Sequence, residues 1–328
     1  MILAGDIGGT NTRLALVEAA GGGLRIKAEK TFSSRERTSL EAALAEFLSL
    51  HPCDLTGASF GIAGPVRNGR CEATNLPWVV DSKAVAKRLH LKQVGLINDL
   101  EANAYGIAAL QSRDFVILNK GARNSKGNRA IISAGTGLGE AGMYWDGETH
   151  RPFASEGGHV DFAPRNLLEM ELLDYCLKRY QRVSYERLVS GPGLVNVYAF
   201  LRDTGKAKEP AWLAEQIRRG LDPAPIISQH ALEGKSLLCI QAMEIFVSLY
   251  GAEAGNLALK LMATGGVYLG GGIAPRIISK LKEAEFMNAF TAKGRMRPLL
   301  QDMPVRVIMN PKTALLGAAR HAALGLCR

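Results

Sequence analysis

The sequence predicts an α/β fold made of two similar lobes facing a cleft. Three observations carry this. The first third of the chain alternates apolar runs and helical repeats in the order strand, strand, strand, helix, strand, helix, strand. The plan of ILAGDIGGTNTRLALVE (2–18) returns in RAIISAGTGLGEAGMYW (129–145) as an apolar strand, a glycine-rich turn and a second strand. Finally, 328 residues, 47% of them hydrophobic, suffice for two moderate cores.

Taken in order, residues 2–6 form a short apolar run, and 12–18 alternate as a strand does. Gly21, Gly22 and Gly23 turn the chain into 24–32, where apolar and polar residues alternate again. Leu40, Ala43, Leu44, Phe47 and Leu48 recur at helical spacing over 40–51, and Pro52 ends that helix. Residues 58–63 read as a strand, Asp81 as the N-cap of a helix over 82–89, and 94–98 as a buried strand. Three meandering strands followed by helix, strand, helix, strand make the ribonuclease-H-like half of actin-like folds. The second copy begins near Arg129, and 165–263 read as mainly helical. A strand over 266–269 runs into Gly270, Gly271 and Gly272 and then a helix from about Pro275. The last helix, 313–324, carries Leu315, Leu316, Ala319 and Ala322 at helical spacing.

Composition excludes several classes. No unbroken apolar run reaches about eighteen residues, so no membrane span is expected. The N-terminus lacks the basic start of a signal peptide. Five cysteines (53, 71, 176, 239 and 327) include no CxxC pair. They are expected as reduced, mostly packed thiols in a cytoplasmic protein. The net charge of +9 comes from 40 basic and 31 acidic residues. The basic residues are scattered singly, as at Arg13, Lys83 and Arg202, with no arginine-rich stripe. That pattern argues against a nucleic-acid partner and leaves a solvated basic surface or a field favouring an anionic small ligand.

The chemistry concentrates in turns. Asp6, Ile7, Gly8, Gly9, Thr10 and Asn11 link one strand to the next. Glycines there let backbone N–H groups approach a phosphate, and Asp6 could hold Mg²⁺ through water. A plain hairpin turn is the alternative. The segment is neither a Walker loop nor a dinucleotide fingerprint, since it opens a strand and has no GKS or GKT. Gly135, Thr136 and Gly137 repeat the arrangement in the second lobe. A triphosphate held between two hairpins requires that duplication. Gly270, Gly271 and Gly272 form a third turn, where small residues would let adenine and ribose lie on the backbone; a tight strand–helix turn is the alternative. Asn98 and Asp99 end a strand and begin a helix. Asp99 reads either as a helix N-cap or as the carboxylate that accepts a hydroxyl proton in phosphoryl transfer. Glu156 and His159, three apart and separated by glycines in a loop between strands, can converge on a small polar ligand. Metal binding there would need Asp161 as a third ligand. Glu186 has no signal of its own.

The segments DIGGTNTRLAL, INDLEANAYG, SAGTGLG, EGGHVDFAP, SYERLVSGPGL and GGVYLGGGIAPRI, in that order over nearly the whole chain, resemble the proteobacterial-type glucokinase family. The resemblance implies ATP-dependent phosphorylation of the 6-hydroxyl of glucose at the entry to glycolysis, with ATP and Mg²⁺ as cofactors and usually a homodimer. It implies a small lobe of 1–109 plus 310–328 and a large lobe of 110–309. It places a phosphate loop on Gly5, Asp6, Ile7, Gly8, Gly9, Thr10 and Asn11, a second on Gly135, Thr136 and Gly137, and adenosine-side glycines on Gly270, Gly271 and Gly272. The catalytic base falls on Asp99, and the glucose ligands on Asn98, Asp99, Glu156, His159 and Glu186. The cysteine-rich zinc loop of the related ROK kinases and repressors is absent from the sequence, as is an N-terminal helix-turn-helix. Competing readings are a kinase for mannose, fructose or an amino sugar, and a sugar-responsive regulator without catalysis. The presence of Asp99 and all three turns argues against the regulator.

Overall fold

The computed structural model describes residues 1–21, 23–72, 78–220 and 222–325. Gly22 and Cys327 lie outside them. The chain divides into two compact units, one of Met1–Asp114, Arg151–Ala154 and Asn310–Arg328, the other of Phe115–His150 and Ser155–Met309.

The first unit is built on a five-stranded sheet. Its strands are β1 (Ile2–Ile7), β2 (Asn11–Ala20), β3 (Gly23–Ser33), β4 (Gly57–Ile62) and, past the small hairpin β5 (Arg70–Glu72) and β6 (Val79–Asp81), β7 (Gly95–Asn98). The order is β3-β2-β1-β4-β7, with β1 antiparallel to β2 but parallel to β4, and β4 parallel to β7. Period-two alternation splits β1 between two faces. Leu3 and Ile7 pack with Leu14, Phe47, Phe60 and Val85, whereas Ile2 and Ala4 pack with Val17, Leu315, Ala318 and Ala322. Helix Leu40–Leu50 starts at Ser39, whose side chain accepts from the Ala42 N–H. Helix Ser82–Arg88 is capped by Asp81, which accepts from Lys83 and Ala84, as the sequence predicts.

Helix Asp99–Ile107 packs so tightly on helix Thr313–Gly325 that a Cβ at Gly317 would overlap the carbonyl of Ala102. The backbone there cannot yield without parting the helices. Gly317→Val is therefore expected to cost about 1–3 kcal/mol by overpacking. A lower urea midpoint would show it; an unchanged midpoint would mean the pair separates freely.

The second unit repeats the plan. Its sheet is made of β8 (Phe115–Asn119), β9 (Arg129–Ala134), β10 (Leu138–Trp145), β12 (Gly266–Gly270) and β13 (Val305–Ile308), with the edge strand β11 (His150–Ser155), of which only the two end residues are grouped with this unit. The order is β11-β10-β9-β12-β13-β8. β9 is antiparallel to β10 and parallel to β12, matching β1 with β2 and β4; β8 is an added antiparallel edge. The internal repeat read from DIGGT and SAGTG is thus a repeat of topology.

Between β11 and β12 the chain is helical, as expected: Leu167–Leu177, Gly191–Asp203, Ala211–Arg219, Pro223–Leu232 and Leu237–Leu261. In the last of these Gln241, Glu244 and Glu253 break the apolar run. By length and composition it could cross a membrane, but 67% of its most apolar stretch is buried. Met243, Phe246 and Tyr250 stand fully buried in the unit's core, as befits a core helix. After β12 the helix foreseen from Pro275 is corrected: the chain turns until a single helical turn, Ile278–Leu281. Cys71, Cys176 and Cys239 are buried free thiols, and Cys53 is an exposed one.

Candidate active site

In the first unit, register brings the predicted residues to one edge. Ile7 pairs with Ile62, and Ile62 with Asn98. The carboxyl ends of β1, β4 and β7 therefore lie side by side at strand spacings of about 4.8 Å. Loops beyond the carboxyl ends of parallel strands are where such sheets bind ligands. The turn after β1 closes as a hairpin, with the Gly8 N–H donating to the Asn11 carbonyl at 2.9 Å. Buried Ser34 fixes it: its hydroxyl donates to the Gly8 carbonyl at 2.8 Å and lies 2.8 Å from the Thr12 hydroxyl. The Ser34 N–H also donates to the Thr10 carbonyl at 2.9 Å. Sequence reasoning missed Ser34, because only β2–β3 pairing delivers it.

Gly8, Gly9, Thr10 and Asn11 reach solvent, but Gly5 and Ile7 are buried inside β1. Those two belong to the strand beneath the turn. Asp6 is half-buried. Burial pushes its carboxyl above the ordinary value, and the Arg13 guanidinium pulls it back in part.

At the end of β7 the cap is Asn98, not Asp99. The Asn98 Oδ1 accepts from the Leu100 N–H at 2.8 Å, and its Nδ2 donates to the Gly64 carbonyl at 3.1 Å. Glu101 reaches back to the Asn98 N–H, completing a capping box, although burial still holds its carboxyl above the ordinary value. Asn98 keeps one further donor and one further lone pair for another partner. Asp99 is the first helical residue, half-buried, with its Oδ1 2.9 Å from the Leu100 N–H. The helix end is thus satisfied mainly by Asn98 and Glu101, and Asn98 is its cap.

In the second unit, β9 and β12 end together, with Gly270 paired to Ser133. The Gly135 N–H donates to the Gly137 carbonyl at 2.8 Å, closing the second turn. Gly271 sits at φ +78°, against the Ala134 carbonyl, where a Cβ would clash as well as strain. The turns at Gly135–Gly137 and Gly270–Gly272 therefore adjoin. Gly270 itself is a buried strand residue; Gly271 and Gly272 are exposed. The Gly191 N–H donates to the Gly135 carbonyl at 2.8 Å, bringing the start of helix Gly191–Asp203, capped by Ser190, to the same turn. The sequence carries no signal of this contact with Gly135.

Glu156, His159 and Glu186 come together in this unit. Glu156 and His159 flank a 3₁₀ turn, Gly157–His159, which follows β11 and leads to the helices; it does not join two strands. The His159 N–H donates to the Glu156 carbonyl at 3.0 Å, and both side chains are exposed. Glu186, in the 3₁₀ turn Tyr185–Arg187, has its Oε1 3.9 Å from the His159 Nδ1. Its Oε2 accepts from the Leu138 N–H at 3.0 Å, and a Cβ on Gly137 would come within 2.5 Å of that oxygen. Glu186 therefore joins the Gly157–His159 turn to the glycine-rich turn. Asp161 is taken by Arg182, at 2.8 Å. No group of three metal-ligating side chains exists among the described residues.

Comparison with known proteins gives one consistent answer. The family model described as Glucokinase matches residues 3–324. A glucokinase of Trichormus variabilis is 43% identical over 98% of this chain and 99% of its own. One of Synechocystis is 45% identical over 98% and 97%. Among solved structures, a glucokinase from an Antarctic psychrotroph superposes with a TM-score of 0.86 at 32% identity, covering 98% of both chains. The glucokinase of Balamuthia mandrillaris in complex with glucose superposes at 0.81 over 98% of this chain and 93% of its own; at 23% identity it speaks for the fold alone.

Proposed function

The chain belongs to the glucokinase family, and from that premise we propose that it transfers the γ-phosphoryl group of ATP to the 6-hydroxyl of D-glucose, giving glucose 6-phosphate and ADP. The observation that carries this reading is Asp99: a carboxylate at the carboxyl end of β7, next to the capping Asn98 and on the same edge as the Gly8–Asn11 turn.

Asp99 accepts the 6-hydroxyl proton as the oxygen attacks phosphorus, and it aims that oxygen in line with the leaving group. Asn98, Glu156, His159 and Glu186 hold the other hydroxyls, so a sugar lacking one leaves a polar group unpaired. The turns at Gly8–Asn11 and Gly135–Gly137 present backbone N–H groups to the phosphates, and Gly271 and Gly272 leave flat space for the nucleoside. Asp6 fits Mg²⁺ held through water: magnesium takes one or two carboxylates and keeps the rest of its shell, and a cation would favour the ionised form that burial disfavours. The ion supplies charge neutralisation for the phosphates. A cytosolic location accords with the free thiols, and the homodimer rests on family resemblance.

ADP release coupled to an indicator, measured with glucose, mannose, fructose and glucosamine, tests the reading. Glucose is expected to give the highest kcat/KM by at least tenfold, the scale of one unpaired buried group. Equal rates on all four would replace glucose with a broader hexose substrate, and no ADP release would end the kinase assignment.

A further inference from the structure

Beneath the two turns that carry Glu156, His159 and Glu186 lies a buried pair of acids. Glu140, on β10, is 1% exposed and Glu253, in the middle of helix Leu237–Leu261, is 0% exposed. Neither carboxyl oxygen of Glu140 has a hydrogen-bond partner, and the Glu253 carboxyl is the charged group that acts on it most strongly. Glu140 Oε2 lies directly under Gly157, so close that a Cβ there would overlap it. Glu253 reaches the other turn through Asn256, whose Nδ2 donates to Glu253 Oε2 at 2.7 Å and to the Tyr185 hydroxyl at 3.1 Å. The turns are themselves tied, the Tyr185 N–H donating to the Val160 carbonyl at 3.1 Å.

We propose that the Glu140–Glu253 pair is a positioning device for the sugar-binding turns, with Glu140 supporting Gly157 and Glu253 supporting Tyr185. The proposal rests on the function proposed above for Glu156, His159 and Glu186. Two carboxylates side by side in a dry core repel and are poorly solvated, so one proton belongs between them. With that proton in place, Glu140 donates to Glu253, and strand, helix and both turns close on one another. Without it the pair must part, and Gly157, lying against Glu140 with no side chain to yield, moves first.

The surroundings agree. Burial, followed by the charge of Glu253, raises the Glu140 carboxyl from 4.5 to about 8, with Lys260 opposing. Lys260 Nζ stands 3.4 Å from Glu253 Oε1 on the same helix. Lys293 donates to Asn256 Oδ1 at 2.5 Å, and burial and Arg165, itself paired with Glu169, depress its ammonium. The Tyr250 hydroxyl donates to the Ile132 carbonyl, and burial keeps it and Tyr185 protonated well beyond this range. Glu156 and His159 flank Gly157 from the solvent side. The folded chain therefore holds a proton on Glu140 that the unfolded chain releases above about pH 4.5. Its contribution to stability falls as pH rises from there to about 8 and is constant beyond.

Glu140→Gln keeps the shape and a donor toward Glu253 while removing the titration. Glucose affinity by calorimetry from pH 6.5 to 9.5 is expected to weaken about tenfold in the parent by pH 9, where roughly one molecule in ten keeps the proton. The variant should bind as the parent does at pH 7 and stay level. Urea midpoints without sugar should favour the variant at pH 8.5, with the gap closing toward pH 5. A parent that binds glucose equally at pH 7 and 9 overturns the pairing, as does a variant with the same alkaline loss or no midpoint advantage. A parent that binds no glucose at pH 7 defeats the functional reading instead, and the proposal with it.

Discussion

Asp99→Asn is expected to lower kcat by about two to four orders of magnitude while leaving glucose affinity near its parent value. The amide preserves size and hydrogen-bonding shape but cannot take up the proton of the attacking hydroxyl. The helix should survive the change, because its first turn is closed by Asn98 and Glu101 and an amide oxygen can replace Asp99 Oδ1 at the Leu100 N–H. Steady-state rates beside glucose calorimetry separate the two effects. A variant with near-normal kcat would reduce Asp99 to a helical residue that touches the sugar, and one with lost affinity but unchanged kcat would make it a binding group only. The matching control is Asn98→Ala, which removes the cap and should cost about 1 kcal/mol of stability as well as activity.

That contrast between neighbours shows where sequence stops being informative. The paired glycine-rich turns were legible because each sits between two apolar alternating runs, and hairpin geometry is local. The cap at Asp81 was legible for the same reason. Between Asn98 and Asp99, both good capping residues, the choice turns on which one has extended backbone, and the Gly64 carbonyl helps decide it through Asn98 Nδ2. Gly270 looks like a member of its loop, yet parallel pairing with β9 carries its strand one residue beyond the run over 266–269. Ser34 reaches the Gly8 turn by strand pairing, and Glu140 meets Glu253 from a distant helix. Such contacts leave no periodicity in the chain. A lone glutamate in an apolar strand is a visible anomaly, but its partner is not.

Glu186 is the second residue whose loss should be large, and for a different reason from Asp99. Its carboxylate serves two turns at once, facing His159 with one oxygen and the Leu138 N–H with the other. Glu186→Ala removes a proposed sugar ligand and leaves the buried Leu138 amide without its acceptor. Each unpaired buried group costs about 1–3 kcal/mol, so the two together lower kcat/KM for glucose by roughly two to four orders of magnitude. Because Leu138 directly follows the Gly135–Gly137 turn and is held there by Glu186, the KM for ATP should rise as well, whereas Asp99→Asn leaves it unchanged. Glu186→Gln separates the two duties. An amide oxygen can still accept from Leu138, so the KM for ATP should return toward the parent value. The charge opposite His159 is not restored, so the KM for glucose should stay high. Titrating each substrate at saturation of the other, in both variants, gives the four constants required. A Glu186→Ala enzyme whose KM for ATP matches the parent would show that Glu186 serves the sugar alone and that the second turn holds its shape without it.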